Sequence, residues 1–224
     1  MVETVRSDNA ARAERILDAA ARLIAHYGYD KTTVSDIAHE AGVSKGAVYL
    51  HWESKEALFE ALLEREVWRY ADRWLARMDA DAELWSYVGM FKHMMLTLQD
   101  SPLMTALLRR DARVLGSFLR TDSRLLQQKL AANTAIFQMM QAAGAIRDDI
   151  APGVLAYLLN LFAIGFVNSG EAIAAQDMPD MDEAMDALGR LLDRGLAPED
   201  GGNREAGRHI IAQVVDQMRT QQRA

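Results

Sequence analysis

The segment from Thr33 to Trp52 contains the most distinctive chemistry of the chain, in the order TVSDIAHEAGVSKGAVYLHW. Lys45 can donate hydrogen bonds to O6 and N7 of guanine, and hydroxyl side chains can donate to phosphate oxygens. Gly42 supplies the positive φ that a tight turn between two helices needs, and Val43 can pin that turn against a core. The spacing therefore predicts a helix-turn-helix, whose second helix would bring Lys45 and Gly46 nearest the bases of a major groove.

Other reactive constellations are weak. The sequence contains no cysteine, which excludes disulfides, thiolate metal sites and cysteine nucleophiles. The five histidines show no pair at metal-ligand spacing, and neither a glycine-rich phosphate loop nor a nucleophile elbow is present. We therefore expect no enzyme, no metal and no cofactor, with a buried carboxylate pair as the one route left open to a helical enzyme.

The elements that must position this segment are helices, because apolar residues recur at helical rather than alternating spacing. The first is predicted from about Ile16 to Tyr27, with Gly28 as its stop, and the second begins at Thr32 or Thr33. A third runs over 45–52 and a fourth over 54–78, the latter long enough to link two domains. Further helices are predicted near 82–99, 102–119, 123–143, 152–174, 180–195 and 204–221, with a break at 200–203. The fold class is therefore all-α.

Four sequence blocks carry a resemblance to the TetR family of bacterial regulators between residues 16 and 59. They are TVxxIA from Thr33, GVSKG from Gly42, YxH from Tyr49 and SKExLF from Ser54. The resemblance implies a three-helix DNA-binding domain, a larger helical regulatory domain with an effector pocket, and a homodimer. The chain departs from the family pattern at Leu50, at Trp52, where the family often has Phe, and in the tail after Pro198.

The resemblance also implies which residues contact DNA. Phosphate contacts fall on Thr33, Ser44, Tyr49, His51 and Lys55, and base contacts fall on Lys45, Gly46, Ala47 and Leu50. The alternative for each is an ordinary structural role. Tyr49 and His51 can cover the core of a small domain, and Lys45 can be a solvated lysine.

Charge gives little support to non-specific DNA binding. Residues 1–55 contain seven basic and eight acidic side chains, and the whole chain has a formal charge of −7. Because sequence-independent affinity comes from neutralising phosphates, any basic patch must be local. Specific contacts and dimerisation must then supply most of the affinity.

The helix predicted at 152–174 is apolar on more than one face, so it needs two partners. Its own domain can cover one face, and a second subunit can cover the other in an intersubunit four-helix bundle. The interface candidates are Val154, Tyr157, Leu161, Phe166, Met185, Leu188 and Leu192. A monomer with a fully buried central helix is the alternative. A membrane span is disfavoured, because the apolar run from Val154 to Val167 is short and contains Asn160.

Methionine and aromatic side chains of the C-terminal half can line an adaptable apolar cavity, with one amide to orient a ligand. The candidates are Phe91, Met94, Met95, Met104, Phe118, Phe137, Met140, Asn160 and Phe162. They predict an apolar or amphipathic small-molecule effector that releases a repressor from its operator. Core packing is the alternative for each residue, and a factor that only dimerises and binds DNA is the alternative for the whole chain.

The predicted organisation is a DNA-binding domain at 1–55, a regulatory and dimerisation domain at 56–200 and a helical extension at 201–224. The first dozen residues mix charged and small side chains and lack the apolar run of a secretory signal. We therefore expect a cytoplasmic protein.

Overall fold

The computed structural model describes residues 2–80, 87–120, 124–199 and 203–223, and every regular element in these ranges is helical, as the sequence predicts. The α-helices are α1 (Val2–Tyr27), α2 (Val34–Glu40), α3 (Lys45–Tyr49), α4 (Lys55–Ala80), α5 (Tyr87–Gln99), α6 (Pro102–Arg109), α7 (Ala112–Leu115), α8 (Arg124–Ala142), α9 (Pro152–Ala172), α10 (Met181–Leu196) and α11 (Arg204–Arg223). Short 3₁₀ segments occupy Gly116–Arg120 and Ala175–Asp177.

The prediction of a single helix at 102–119 is wrong, because the helix is interrupted there twice. Arg110 adopts a left-handed conformation with φ 53°, and the side chain of Asp111 then caps α7 by accepting from the Arg113 amide. Gly116, with φ 51°, ends α7 and starts the 3₁₀ segment. Helix α1 also begins at Val2 rather than near Ile16. The predicted starts at 82 and 123, and positions 200–202 of the predicted break, lie outside the described residues.

The chain forms two compact units that are not contiguous in sequence. The head unit comprises Met1–Arg69 and Ser101–Asp122, and the C-terminal unit comprises Tyr70–Asp100 and Ser123–Ala224. Residues 101–122 are thus grouped with the N-terminal helices. The functional division at 55 and 200 stays a prediction.

The core of the head unit is built from α1, α2, α3 and the first half of α4. Its most deeply buried large side chains are Ile16, Ile24, Ile37, Val48, Leu58, Phe59, Leu62 and Leu115. Leu115 of α7 and Leu103 of α6 belong to this same cluster, so residues 101–118 complete the head core. Burial of apolar surface stabilises the unit and fixes the orientation of the short helices α2 and α3.

The turn after α1 packs tightly on the segment that follows α6. Gly28 has φ 84°, and a Cβ placed on it would lie 2.1 Å from the carbonyl oxygen of Arg113. The next amide, that of Tyr29, donates to the carbonyl of Val114 over 2.8 Å. Glycine is therefore required at position 28 both by backbone conformation and by close approach.

In the C-terminal unit, α8 packs against α9 and α11, while α5 packs against α10 and α11. Helix α11 contributes Ile211 and Val215, which are almost fully buried. A Cβ on Gly207 would lie 3.2 Å from the Cβ of Ala145, so the backbone of α11 approaches the end of α8 closely. The tail after Pro198 therefore forms part of the core of this unit.

Helix α9 buries one stripe and exposes another. Leu155, Ala156, Leu159, Ala163 and Val167 are buried, while an apolar set on the opposite side is open to solvent. By length and composition, Pro152–Gly170 is the one stretch in the described part of the chain that could cross a membrane, a criterion that core helices of soluble proteins also meet. The prediction that this helix is apolar on more than one face is confirmed.

Candidate nucleic-acid interface

Thr33 and Asp36 form a reciprocal cap at the start of α2. The Thr33 hydroxyl oxygen accepts from the Asp36 amide over 3.2 Å, while Asp36 accepts from the Thr33 amide and hydroxyl over 2.9 and 2.6 Å. These hydrogen bonds from Thr33 lower the pKa of the Asp36 carboxyl. The hydroxyl proton of Thr33 is therefore committed to Asp36, and a phosphate contact through it would require that bond to break.

The turn between α2 and α3 has the predicted conformation. Gly42 has φ 66°, its amide donates to the His39 carbonyl over 3.1 Å, and the Val43 amide donates to the Ala38 carbonyl over 2.9 Å. Val43 is half-buried and packs against the head core. The predicted roles of Gly42 and Val43 are confirmed, and they fix the angle at which α3 leaves α2.

Helix α3 is anchored on one side and capped at its start. Val48 is buried in the head core, as is Ala38 of α2 beneath it. The Ser44 hydroxyl oxygen accepts from the Ala47 amide over 3.1 Å. This cap uses a lone pair and leaves the hydroxyl proton of Ser44 able to point at a phosphate oxygen, in contrast to the proton of Thr33.

The outer surface of α3 carries the predicted base-contacting residues in two columns. Lys45 and Tyr49 are four residues apart, with the lysine Nζ 6.0 Å from the tyrosine ring centroid, and both are exposed. Gly46 and Leu50 form the adjacent column, and Leu50 is 84% exposed. Ala47 is half-buried, at the edge of this surface. The helix therefore presents one cation, one phenol and one apolar side chain outward.

Position 46 has room for a side chain that the sequence does not supply. A Cβ built on Gly46 would meet nothing nearer than the Ser44 hydroxyl oxygen, at 3.9 Å, and Gly46 is not among the glycines with positive φ. Neither the backbone nor the packing of the chain itself requires glycine here. Its absence of a side chain allows another molecule to approach the start of α3 closely.

Lys55 and His51, predicted to contact phosphate, both have contacts within the head unit. The Lys55 ammonium donates to the Tyr29 carbonyl over 2.6 Å and lies 4.0 Å from the centroid of the Tyr29 ring. The Tyr29 hydroxyl donates to Glu56 over 3.0 Å, and burial, followed by this bond, raises the pKa of the phenol. The His51 ring lies 5.2 Å from that of Trp52. Lys55 thus ties the turn before α2 to the start of α4, and its phosphate contact stays a prediction.

Two polar residues on α2 are also exposed, and they were not predicted from the sequence as site residues. Ser35 and His39 are exposed and four residues apart, so they lie on one face of α2. Lys31 is exposed just before the helix. The signal that could have found them is the i, i+4 spacing of two polar residues beside the helix-turn-helix glycine.

The predicted effector residues do not come together in one place. Phe91, Met95, Phe137 and Met140 are buried, Met94 and Asn160 are half-buried, and Phe162 is 50% exposed. Asn160 donates its side-chain amide to the Ala156 carbonyl within its own helix, over 2.7 Å. Met104 and Phe118 belong to the head unit, where the Phe118 ring lies 4.7 Å from that of Phe59. Phe118 therefore packs against the core of the head unit, because the 3₁₀ segment turns it towards α4.

The predicted interface residues divide between an exposed face and the interior. Val154, Tyr157 and Leu161 are exposed, whereas Phe166, Leu188 and Leu192 are half-buried and Met185 is buried. Met185 thus belongs to the core of its own unit. The exposed apolar set also contains residues that were not predicted for it, namely Leu158, Phe162, Ile164 and Leu191.

The segment that contains this geometry is similar to known proteins. Residues 16–62 match the family described as bacterial regulatory proteins, tetR family. The HTH-type transcriptional repressor Rv1474c of Mycobacterium tuberculosis is 47% identical over 62 residues, which are 28% of this chain and 33% of that protein. The A-factor receptor protein of Streptomyces griseus is 43% identical over 51 residues, or 23% of this chain and 18% of that protein.

Solved structures share the fold over a longer stretch. FadR of Bacillus subtilis, solved with stearoyl-CoA, gives a TM-score of 0.61 at 21% identity, covering 82% of this chain and 98% of FadR. AibR, solved with isovaleryl coenzyme A and operator DNA, gives 0.56 at 21% identity over 80% and 97% of the two chains. In sequence, by contrast, the chain spans only about a third of the first curated relatives, 33% and 38% of their lengths.

The matched residues 16–62 contain α2, α3, the Gly42 turn and the first part of α4, the same elements that carry the sequence resemblance. The solved structures share the all-helical fold beyond this domain. Residues 16–62 of the chain are therefore similar to the N-terminal domain of the TetR family of bacterial regulatory proteins.

Proposed function

We propose that the protein is a sequence-specific DNA-binding transcriptional repressor, which acts as a homodimer and leaves its operator when a small apolar or amphipathic effector binds. The observation that carries the proposal is the outward face of α3. Val48 fixes this short helix to the core, while Lys45, Tyr49 and Leu50 are exposed around a glycine that the fold itself does not need.

In this function α3 lies in the major groove and α2 crosses the phosphate backbone. Lys45 donates to a guanine, the Ser44 hydroxyl donates to a phosphate, and Gly46 allows the backbone to approach. The acidic character of the chain, with a net charge of −7, limits its non-specific affinity. Operator binding therefore depends on these few contacts and on having two copies of them.

Selection of bound duplexes from a random DNA library tests the proposal directly. The purified protein should enrich a palindromic sequence whose half-sites are about one DNA turn apart, since two symmetric reading heads need about 34 to 36 Å between successive major grooves. Lys45→Ala should lower affinity for that duplex by about 1 to 3 kcal/mol and relax one position per half-site. Arg208→Ala, an exposed cation of the C-terminal unit, is the matched control and should bind as the unmodified protein does. Failure to enrich any sequence would refute the function.

The exposed face of α9 supports the homodimer. Singly scattered apolar residues are normal on a protein surface, but this helix exposes several apolar side chains. They are Val154, Tyr157, Leu158, Leu161 and Phe162. Because a twofold interface uses the same patch on both copies, α9 and α10 of two chains can form a four-helix bundle. We assign this surface to a second copy, not to a membrane.

The effector is the less specified part of the proposal. FadR of Bacillus subtilis was solved with stearoyl-CoA, and AibR with isovaleryl coenzyme A and operator DNA, so acyl-CoA thioesters are the first compounds to test. The competing function is a factor that binds DNA without an effector. The burial of Phe91, Met95, Phe137 and Met140 favours it, because these side chains already fill core space.

Acyl-CoA thioesters of increasing chain length separate the two functions. If the protein responds to an effector, one of these compounds should raise the melting temperature and weaken operator binding. Tenfold weaker binding requires that the compound bind the DNA-free protein more tightly than the DNA-bound protein by about 1.4 kcal/mol. By linkage, the operator must weaken binding of that compound by the same factor. A compound that stabilises the protein and leaves operator affinity unchanged supports the effector-independent function.

The family is one of transcriptional regulators, and we infer that this chain has no catalytic activity. Within the described ranges, no three histidine, cysteine, aspartate or glutamate residues cluster closely enough to hold a metal ion. A repressor must reach chromosomal DNA, so the cytoplasm is the proposed location.

A further inference from the structure

Leu50 is the most exposed large apolar side chain in the described part of the protein, at 84%. It occupies the C-cap of α3 with helical backbone angles, directly after Tyr49. A leucine left in water gains nothing from burial, so the fold of the single chain does not need an apolar side chain at this position.

The surface beside Leu50 is bare. Side chains on a helix lean towards its N-terminus and over the residue four positions earlier, which for Leu50 is Gly46. A Cβ at Gly46 would find no atom of the described residues closer than 3.9 Å, so none of them packs against the chain at this position. Leu50 and the Gly46 backbone therefore form an exposed apolar surface on the outward face of α3.

We propose that Leu50 reads the C5-methyl group of a thymine in each operator half-site, an inference that rests on the proposed DNA-binding function. In the major groove, the thymine methyl is the one apolar group that distinguishes a base pair, and it is recognised by apolar contact. The exposed apolar surface at Gly46 and Leu50 adjoins Lys45, whose ammonium can donate hydrogen bonds to guanine O6 and N7. The same helix thus carries a reader for each of two base chemistries.

The spacing of the two readers fixes the spacing of the two bases. Lys45 and Leu50 are five positions apart, or about 7.5 Å along a helix that rises 1.5 Å per residue. Successive base pairs are about 3.4 Å apart. With α3 lying along the groove, the thymine should therefore be about two base pairs from the guanine.

Deoxyuridine tests the inference, because it removes the methyl group and preserves the base pair. The probe is the duplex that the protein enriches from a random library, with each thymine of the half-site replaced in turn by deoxyuridine. One replacement, about two base pairs from the guanine that Lys45→Ala ceases to prefer, should weaken binding about fourfold, the effect of one buried methyl group. Leu50→Ala should weaken binding to the thymine duplex by at least this factor and bind both duplexes equally.

The matched outcomes distinguish this inference from the proposed function. If the unmodified protein responds to no thymine replacement near the guanine, or if Leu50→Ala loses as much affinity on that replacement as the unmodified protein does, the role of Leu50 is overturned and the DNA-binding function stays intact. An enriched sequence with no thymine near the guanine has the same meaning. Failure to enrich a sequence overturns both. Because Leu50 is exposed, its truncation should leave helical content and melting temperature unchanged, and circular dichroism checks this.

Discussion

The carboxylate of Asp30 accepts hydrogen bonds from both the backbone amide and the hydroxyl of Ser117, over 3.1 and 2.6 Å. Asp30 precedes α2, and Ser117 follows α7, so the bonds join two segments of the head unit that are distant in sequence. Gly116 permits the approach, because a Cβ there would lie 2.4 Å from a carboxylate oxygen of Asp30. The turn that leads into α2 is thereby held to the segment after α7.

Asp30→Ala should lower the free energy of unfolding by about 1 to 2 kcal/mol. Hydrogen bonds to a charged group contribute about 1.5 to 3 kcal/mol, and solvent exposure of Asp30 reduces that figure. Ser117→Ala should lose part of the same amount. Urea denaturation measures both, with Asp148→Ala, an exposed aspartate of the C-terminal unit, as the control. Equal stability of the Asp30 and Asp148 variants would mean that the contact contributes nothing.

Gly28 and Gly42 offer a matched pair of substitutions. Both have positive φ, 84° and 66°, so alanine at either position should cost about 1 to 2 kcal/mol in backbone strain. Nothing lies within 4 Å of a Cβ at Gly42, whereas a Cβ at Gly28 would lie 2.1 Å from the Arg113 carbonyl oxygen.

Gly28→Ala should therefore cost about 2 to 5 kcal/mol, since the backbone of Arg113 must also move. Thermal or urea unfolding of the two variants isolates the steric part as the difference between them. If the two alanines prove equally costly, the turn after α1 and the segment after α6 do not pack as the structure has them.

Local signals made the helix-turn-helix predictable from sequence. A glycine at the turn and a serine at each helix start act within a few residues, and Gly42, Ser44 and Ser54 all form the turn or caps expected of them. The two breaks after α6 were missed because the first uses Arg110, a residue that rarely adopts a left-handed conformation.

Tertiary partners could not be predicted in the same way. Phe118 and Met140 have the same spacing signal as pocket residues, yet one packs on Phe59 of the head and the other lies in the core of the C-terminal unit. Periodicity says which side of a helix is apolar and not what covers it. The family resemblance implied a phosphate contact for Lys55, which stays a prediction, and gave no sign that its ammonium donates to the Tyr29 carbonyl.

Lys55→Ala and Lys45→Ala should differ in stability as well as in DNA binding. Lys55 loses its bond to the Tyr29 carbonyl, so its variant should unfold with about 1 kcal/mol less free energy. Lys45 is exposed, and its variant should stay within about 0.5 kcal/mol of the unmodified protein. Against DNA, Lys55→Ala should weaken all sequences alike and lower the salt slope by about one unit, whereas Lys45→Ala should act on one base position.

Denaturation curves and salt titrations of operator binding provide these measurements. If Lys55→Ala leaves the free energy of unfolding unchanged, the contact with Tyr29 contributes nothing to stability. An unchanged salt slope would remove Lys55 from the phosphate contacts and leave it a purely structural residue.

Leu161→Glu should convert the dimer into a folded monomer. Leu161 is 46% exposed on α9, so glutamate is tolerated in a single chain, but twofold symmetry would bury two carboxylates in one interface. Dimer affinity should fall on the order of 100-fold, the equivalent of about 3 kcal/mol. Sedimentation at micromolar concentration measures this, with circular dichroism to verify helical content and Tyr27→Glu, on the head unit, as the exposed control. A dimer unaffected by Leu161→Glu would place the interface elsewhere, and a monomer before any substitution would leave the α9 face without a second copy to cover it.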